Sequence, residues 1–171
     1  MIRVNSEVER LRRVVVHPPG PALERMMPEH IVPESSKYLL FDDLVDVPQA
    51  QAEHRELCEV LATMADVVHF QDLLCDVLEE PARRQALIAQ TAALHSLSDS
   101  EQRNLLSMGA ADLAATMVVG TVGGAVDGEP LFHPAPNLIF TRDLAAVVGE
   151  TVVVGNASKR VRQRETLMSW A

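Results

Sequence analysis

The densest chemistry in the sequence lies in Pro136-Asn137-Leu138-Ile139-Phe140-Thr141-Arg142-Asp143. Polar Asn137, Thr141, Arg142 and Asp143 enclose an apolar Leu-Ile-Phe core, and a plain buried strand has no need of Arg-Asp at its exit. Taken alone, the segment reads as a strand end with a local Arg142–Asp143 surface pair, worth little energetically. A second cluster, Lys159, Arg160, Arg162 and Arg164, falls within six positions near the C-terminus. On a helix that spacing gives a solvated basic face, and it could also meet a carboxylate.

Nucleophilic and metal chemistry find less support. Cys58 and Cys75 each follow a leucine in an amphipathic stretch. No sequence-local cation or helix N-terminus is expected to depress either thiol, so both read as small hydrophobes. Two cysteines do not make a disulfide framework. The six histidines are scattered and no CxxC or HExxH occurs, so no metal and no organic cofactor are expected.

The elements that must position these residues follow from periodicity. Leu11 to His17 ends in a β-branched run and reads as a buried strand, stopped by Pro18-Pro19-Gly20. Residues 21–37, with three prolines, read as an irregular loop, and Tyr38 to Phe41 as a short strand leading into Asp42-Asp43. Pro48 opens a helix to about Ala65, and Asp66 to Phe70 reads as another buried strand.

Residues 1–70 thus form a first α/β unit. From 71 to 119 strand signals vanish and apolar stripes predict a helical insert of three to four helices, with a capping box at Ser98 and Glu101. Residues 120–171 form a Gly-rich return loop and the start of a second α/β unit. In it, Ala145–Val148 and Thr151–Val154 flank Gly149-Glu150 as a hairpin, and Ser158 caps a last helix. That helix closes on Trp170-Ala171 without a cap, so the sequence reads as one and a half units of a longer architecture.

Composition sets the class. The 171 residues are 47% hydrophobic and 23% charged, which suits a globular chain rather than a disordered one. A net charge of −9 argues against a nucleic-acid partner. No apolar run approaches the roughly 20 residues that span a bilayer, so no membrane role is expected and the cytoplasm is the default compartment.

PNLIFTRD resembles the PNxxFTRD signature of the arginine deiminase family, within the guanidino-group-modifying superfamily. The opening Ser6-Glu7…Leu11…Val14-Val15-Val16-His17-Pro18-Pro19-Gly20 is similar to that family's SExGxLxxVxVHxPG start. Leu39-Leu40-Phe41-Asp42-Asp43 resembles its LLFDD, Glu53-His54 its EH, and Arg162-Gln163-Arg164-Glu165-Thr166-Leu167 its RRQETL. These motifs occur in the family's order over nearly the whole chain. Glu9 stands where the family has glycine, Leu144 where it has proline, and the helical insert is shorter than usual.

The resemblance implies part of a fivefold pseudo-symmetric α/β propeller of ββαβ units with an inserted small helical bundle. It also implies hydrolysis of L-arginine to L-citrulline and ammonia through a covalent cysteine intermediate. The nucleophilic cysteine and the proton-shuttling histidine belong to a later part of the family's chain. Asp143 would be the catalytic carboxylate, because a planar guanidinium stays charged and matches a carboxylate bidentately.

By the same pattern Asn137 and Arg162 would meet the α-carboxylate and α-amino end of the substrate, and Leu40 and Phe140 would pack on its stem. Arg142 and Asp43 would support Asp143 from behind, the competing reading of Asp42 and Asp43 being that they only fix a turn. The expected partners are arginine and either a second copy or a complementary chain carrying the C-terminal part. Alternatives are a non-catalytic arginine-binding or regulatory module, and sibling amidino-transfer or dimethylarginine-hydrolysing chemistry.

Overall fold

A computed structural model of the chain describes residues 2–6 and 8–171. Glu7 of the opening motif lies outside the described residues, as does Met1. Strand β1 (Arg13–Val16) ends where the prolines end it, and α1 (Pro21–Glu24) and a 3-10 turn at Pro28–His30 follow. The expected irregular loop is therefore partly helical, because Pro21 and Pro28 sit where a first turn needs no N–H.

The expected strand at 38–41 does not form. The Leu39 N–H donates to the His30 carbonyl, and Leu40 turns through a left-handed backbone with φ of 64°. Among the described residues no strand pairs with this segment.

Helix α2 (Val47–Ala62) starts at Asp46, whose carboxylate accepts the Gln49 N–H at 3.1 Å. It carries the chain back to β2 (Asp66–His69), which pairs parallel with β1 in the register Arg13↔Asp66 to Val16↔His69. A parallel pair requires such a crossover. Among α2 residues only Val47 is buried, while Leu57, Val60 and nearby Met64 are about half exposed. This face of the α/β unit is uncovered.

Four helices then follow without a strand, as expected: α3 (Phe70–Leu78), α4 (Pro81–His95), α5 (Asp99–Ser107) and α6 (Ala110–Val119). The Ser98 hydroxyl accepts the Glu101 N–H, and the Glu101 carboxylate accepts the Ser98 N–H. Gly120 caps α6 with φ of 84°, and a Cβ there would fall 2.5 Å from the Phe132 carbonyl oxygen, so only glycine fits.

The helices do not keep a core of their own. Leu74, Leu78, Leu87, Leu105, Leu113 and Met117 form one cluster with Leu138, Leu144 and Met168.

After a 3-10 turn at Pro136–Ile139 comes α7 (Thr141–Leu144), then β3 (Ala145–Val148) and β4 (Thr151–Val154). The hairpin forms as expected, in the register Val148↔Thr151, with Gly149 at φ of 59° in the turn. A 3-10 turn at Arg160–Arg162 leads into α8 (Gln163–Trp170). Ser158 does not cap that helix, which grows directly out of the preceding turn.

The architecture is thus mixed α/β with two separate two-stranded sheets. Among the described residues no helix is long and apolar enough to cross a membrane. No group of three or more metal-ligating side chains occurs among them either.

Candidate functional site

Three segments bearing the expected site residues converge on a second hydrophobic cluster. Leu39 and Phe41 from the turn, Ile139 from the Pro136–Ile139 segment and Val161 from the Arg160–Arg162 turn pack together there with Leu23, Met26 and Val47. Hydrogen bonds fix the junction. The Asn137 Nδ2 donates to the Leu39 carbonyl at 2.7 Å, and the Thr141 hydroxyl donates to the Val15 carbonyl at 2.9 Å. The signature segment is thereby tied both to the turn and to β1.

Asp143 does not stand at a strand end. Residues 136–144 are two successive helical turns, with the Asp143 N–H donating to the Phe140 carbonyl, and its side chain is exposed. Pro136 in a first turn and the tight Ala135–Phe140 backbone favour turns over an extended strand. Asp143 is therefore displayed at the surface, able to meet a cation from outside.

The other expected residues divide by burial. Asn137 is 1% exposed, its Nδ2 is given to Leu39 and its Oδ1 has no partner. Leu40 and Phe140 are about half exposed, and the Phe140 ring lies 5.7 Å from that of Phe41. Leu40 reaches its exposed place through a left-handed backbone that a non-glycine residue adopts at a cost of about 1–2 kcal/mol. Asp43 accepts the Leu44 N–H at 2.7 Å, a local contact within the turn. Arg142 is exposed at the start of α7.

Two members of the basic cluster, Arg162 and Arg164, depart from the solvated-face reading. Arg162 is not a solvated charge: its Nε and Nη2 meet the Glu165 carboxylate at 3.0 and 2.9 Å. Arg164 is fully buried, donating to the Met117 and His133 carbonyls with its guanidinium 4.6 Å from the Phe132 ring centroid. Burial lowers its pKa to about 9.

Glu165 is the residue that sequence reasoning missed. It is 2% exposed, its Oε1 has no partner, and it lies within electrostatic reach of Asp143. Burial pushes its pKa up against the pull of Arg162 and Arg164. The i,i+3 spacing of Arg162 and Glu165 on a helix was the available signal.

The thiols are not activated. Cys58 Sγ lies 3.5 Å from His54 Nδ1, a neighbour at i−4 that the sequence reading overlooked. Burial nonetheless raises its pKa, and burial also raises that of Cys75 with help from Asp72 and two further acids. Neither is poised as a nucleophile.

This is a mixed α/β chain that displays a carboxylate beside a paired Arg-Glu, on segments drawn together from distant parts of the sequence. The arginine deiminase family profile matches residues 37–129 and 121–170. An arginine deiminase of Mycobacterium tuberculosis is 32% identical over 187 residues, covering 96% of this chain and 45% of the relative. Those of Limosilactobacillus reuteri and Borreliella afzelii are 28% and 29% identical, each over 98% of this chain and 45% of their own. The chain belongs to the arginine deiminase family. It spans about half the length of the curated relatives that it matches.

Proposed function

We propose that this chain supplies the arginine-gripping half of an arginine deiminase-like hydrolase. In that enzyme L-arginine is converted to L-citrulline and ammonia through a covalent cysteine intermediate. The observation that carries this reading is the exposed Asp143 carboxylate, set beside Glu165–Arg162 on a junction that also presents Leu40 and Phe140.

The guanidinium would sit on Asp143, which holds its plane and orients the carbon for attack. Leu40 and Phe140 would pack on the aliphatic stem. Arg162, released from Glu165 or shared with it, would meet the α-carboxylate. Asn137 would hold the Leu39–Leu40 turn in place, and Arg142 would support Asp143.

The attacking thiolate and its histidine would come from polypeptide equivalent to the remaining half of the relatives. The uncovered apolar face of α2 and the short two-stranded sheets suit a complementary chain or a second copy. A fivefold propeller is the architecture such an assembly would complete. The two free thiols suit the cytoplasm, where thiols stay reduced.

The raised thiol pKa values favour a second reading for the chain alone, that of a non-catalytic arginine-binding module.

The test is calorimetric titration of the chain with arginine beside Asp143→Ala, together with an assay for citrulline. Saturable binding lost in the variant, without citrulline, is the expected result. Citrulline formed by the chain alone and abolished by Asp143→Ala would overturn the division of labour. Binding indifferent to Asp143 would overturn the site.

A further inference from the structure

A recess of about 370 Å³ opens between the Pro28–His30 turn, the C-terminal end of α4 and residues 130–134. His30, His95 and His133 line it with Arg25 and Glu29. None of these residues belongs to the proposed arginine-gripping site.

The protonation of His30 is fixed by the backbone. The Met27 N–H donates to His30 Nδ1 at 2.8 Å, so the neutral ring carries its proton on Nε2. That nitrogen has no partner, although His30 is only 2% exposed. His95 Nε2 is likewise buried without a partner. A buried donor left unmade costs about 1–3 kcal/mol, a deficit that an acceptor entering the recess would offset.

The surroundings select the sign of that acceptor. His30 stands edge-on to His133, with ring centroids 5.8 Å apart, and Arg25 and Lys37 also act on both rings. His95 packs 4.9 Å from Phe132 and feels Arg164, His133 and Arg160. The carboxylate that acts on His30 and His133 is Glu29, already engaged by Lys37 at 2.8 Å. Cationic side chains thus outnumber carboxylates around the three imidazoles.

We propose that this recess is a binding site for a small oxyanion, phosphate-like or carboxylate-bearing, held by His30, His95 and His133 beside Arg25. Burial and the neighbouring cations lower the pKa of all three imidazoles, that of His95 to about 4. An anion reverses that balance, because it favours the protonated ring, so binding takes up a proton from solvent. Uptake of one proton makes affinity rise about tenfold for each unit by which pH falls.

The experiment is calorimetric titration of the full chain with sodium sulfate and, separately, with succinate, at ionic strength fixed by chloride. Sulfate stays a dianion across about pH 6 to 8, so any pH dependence belongs to the protein. Saturable binding is expected for at least one anion, tightening as pH falls. His133→Asn, at a half-buried position, is expected to weaken it about tenfold, the loss of one charge-assisted contact. His95→Asn serves in its place if that variant unfolds.

Binding of sulfate alone assigns a phosphate-like ligand, and of succinate alone a carboxylate one. Saturation by neither anion, equal heats from chloride, or affinity unchanged in the folded variant would each overturn the proposal.

Discussion

The side chain of Asn137 reaches 98 positions back along the sequence to hold the Leu39 carbonyl at 2.7 Å. With the Leu39 N–H given to His30, both backbone groups of that residue are engaged, and the next residue must turn through φ of 64°. One amide therefore joins the signature segment to the turn and maintains a strained Leu40. Asn137→Ala removes the donor and leaves a buried carbonyl unpaired, at a cost of about 1–3 kcal/mol. Urea unfolding of the two proteins measures it, and a difference under about 0.5 kcal/mol, the scale of a surface substitution, would show that the tie does not matter.

That tie also marks the limit of what the sequence discloses. Periodicity located β1, α2, β2, the four helices and the hairpin, because each is set by neighbours within a few positions. Tyr38 to Phe41 looked like a strand by residue type, yet pairing needs a partner edge, and its backbone is instead consumed by His30 and Asn137. The spacing of four cations near the C-terminus suggested a wet helix face. Arg164 instead meets carbonyls at Met117 and His133, contacts of 47 and 31 positions' separation that no local pattern encodes.

For the candidate site, the Asp143 segment stood out by its polar residues. Glu165 did not, because its importance comes from burial rather than from its type.

The Arg162–Glu165 pair carries a pH signature. Burial raises the Glu165 pKa above its ordinary value, so the folded state binds this proton more tightly than the unfolded state. Stability contributed by this group therefore falls as pH rises from the unfolded value through the folded one. In the native protein Arg162 offsets that loss. Arg162→Ala leaves the carboxylate with one compensating cation fewer, and breaking such a buried pair costs about 3–5 kcal/mol. The penalty is expected in full near neutral pH and to shrink on acidification, once Glu165 is protonated. Unfolding of both proteins across that range reads it directly. A penalty that stays constant with pH would mean that Glu165 is not the group responsible.

His17 is expected to limit the stability of the fold in acid. It follows β1, is 6% exposed, has Nδ1 unpartnered and meets Phe70 edge-on at 6.1 Å. Burial, then the nearby His54 and His69, lowers its pKa from 6.5 to about 4. The unfolded chain therefore binds a proton here that the folded chain refuses, and stability is lost as pH falls from about 6.5 toward 4. A shift of that size corresponds to about 3 kcal/mol for a group so deeply buried. His95 is lowered to a similar value but is nearer to solvent, so its share is smaller. His17→Asn keeps a polar side chain and removes the titration, so the variant should lose less stability between about pH 7 and pH 4.5 than the native protein. Equal losses in urea midpoint over that interval would place the acid sensitivity elsewhere. A smaller loss would assign that share of the acid sensitivity to His17, at the exit of β1.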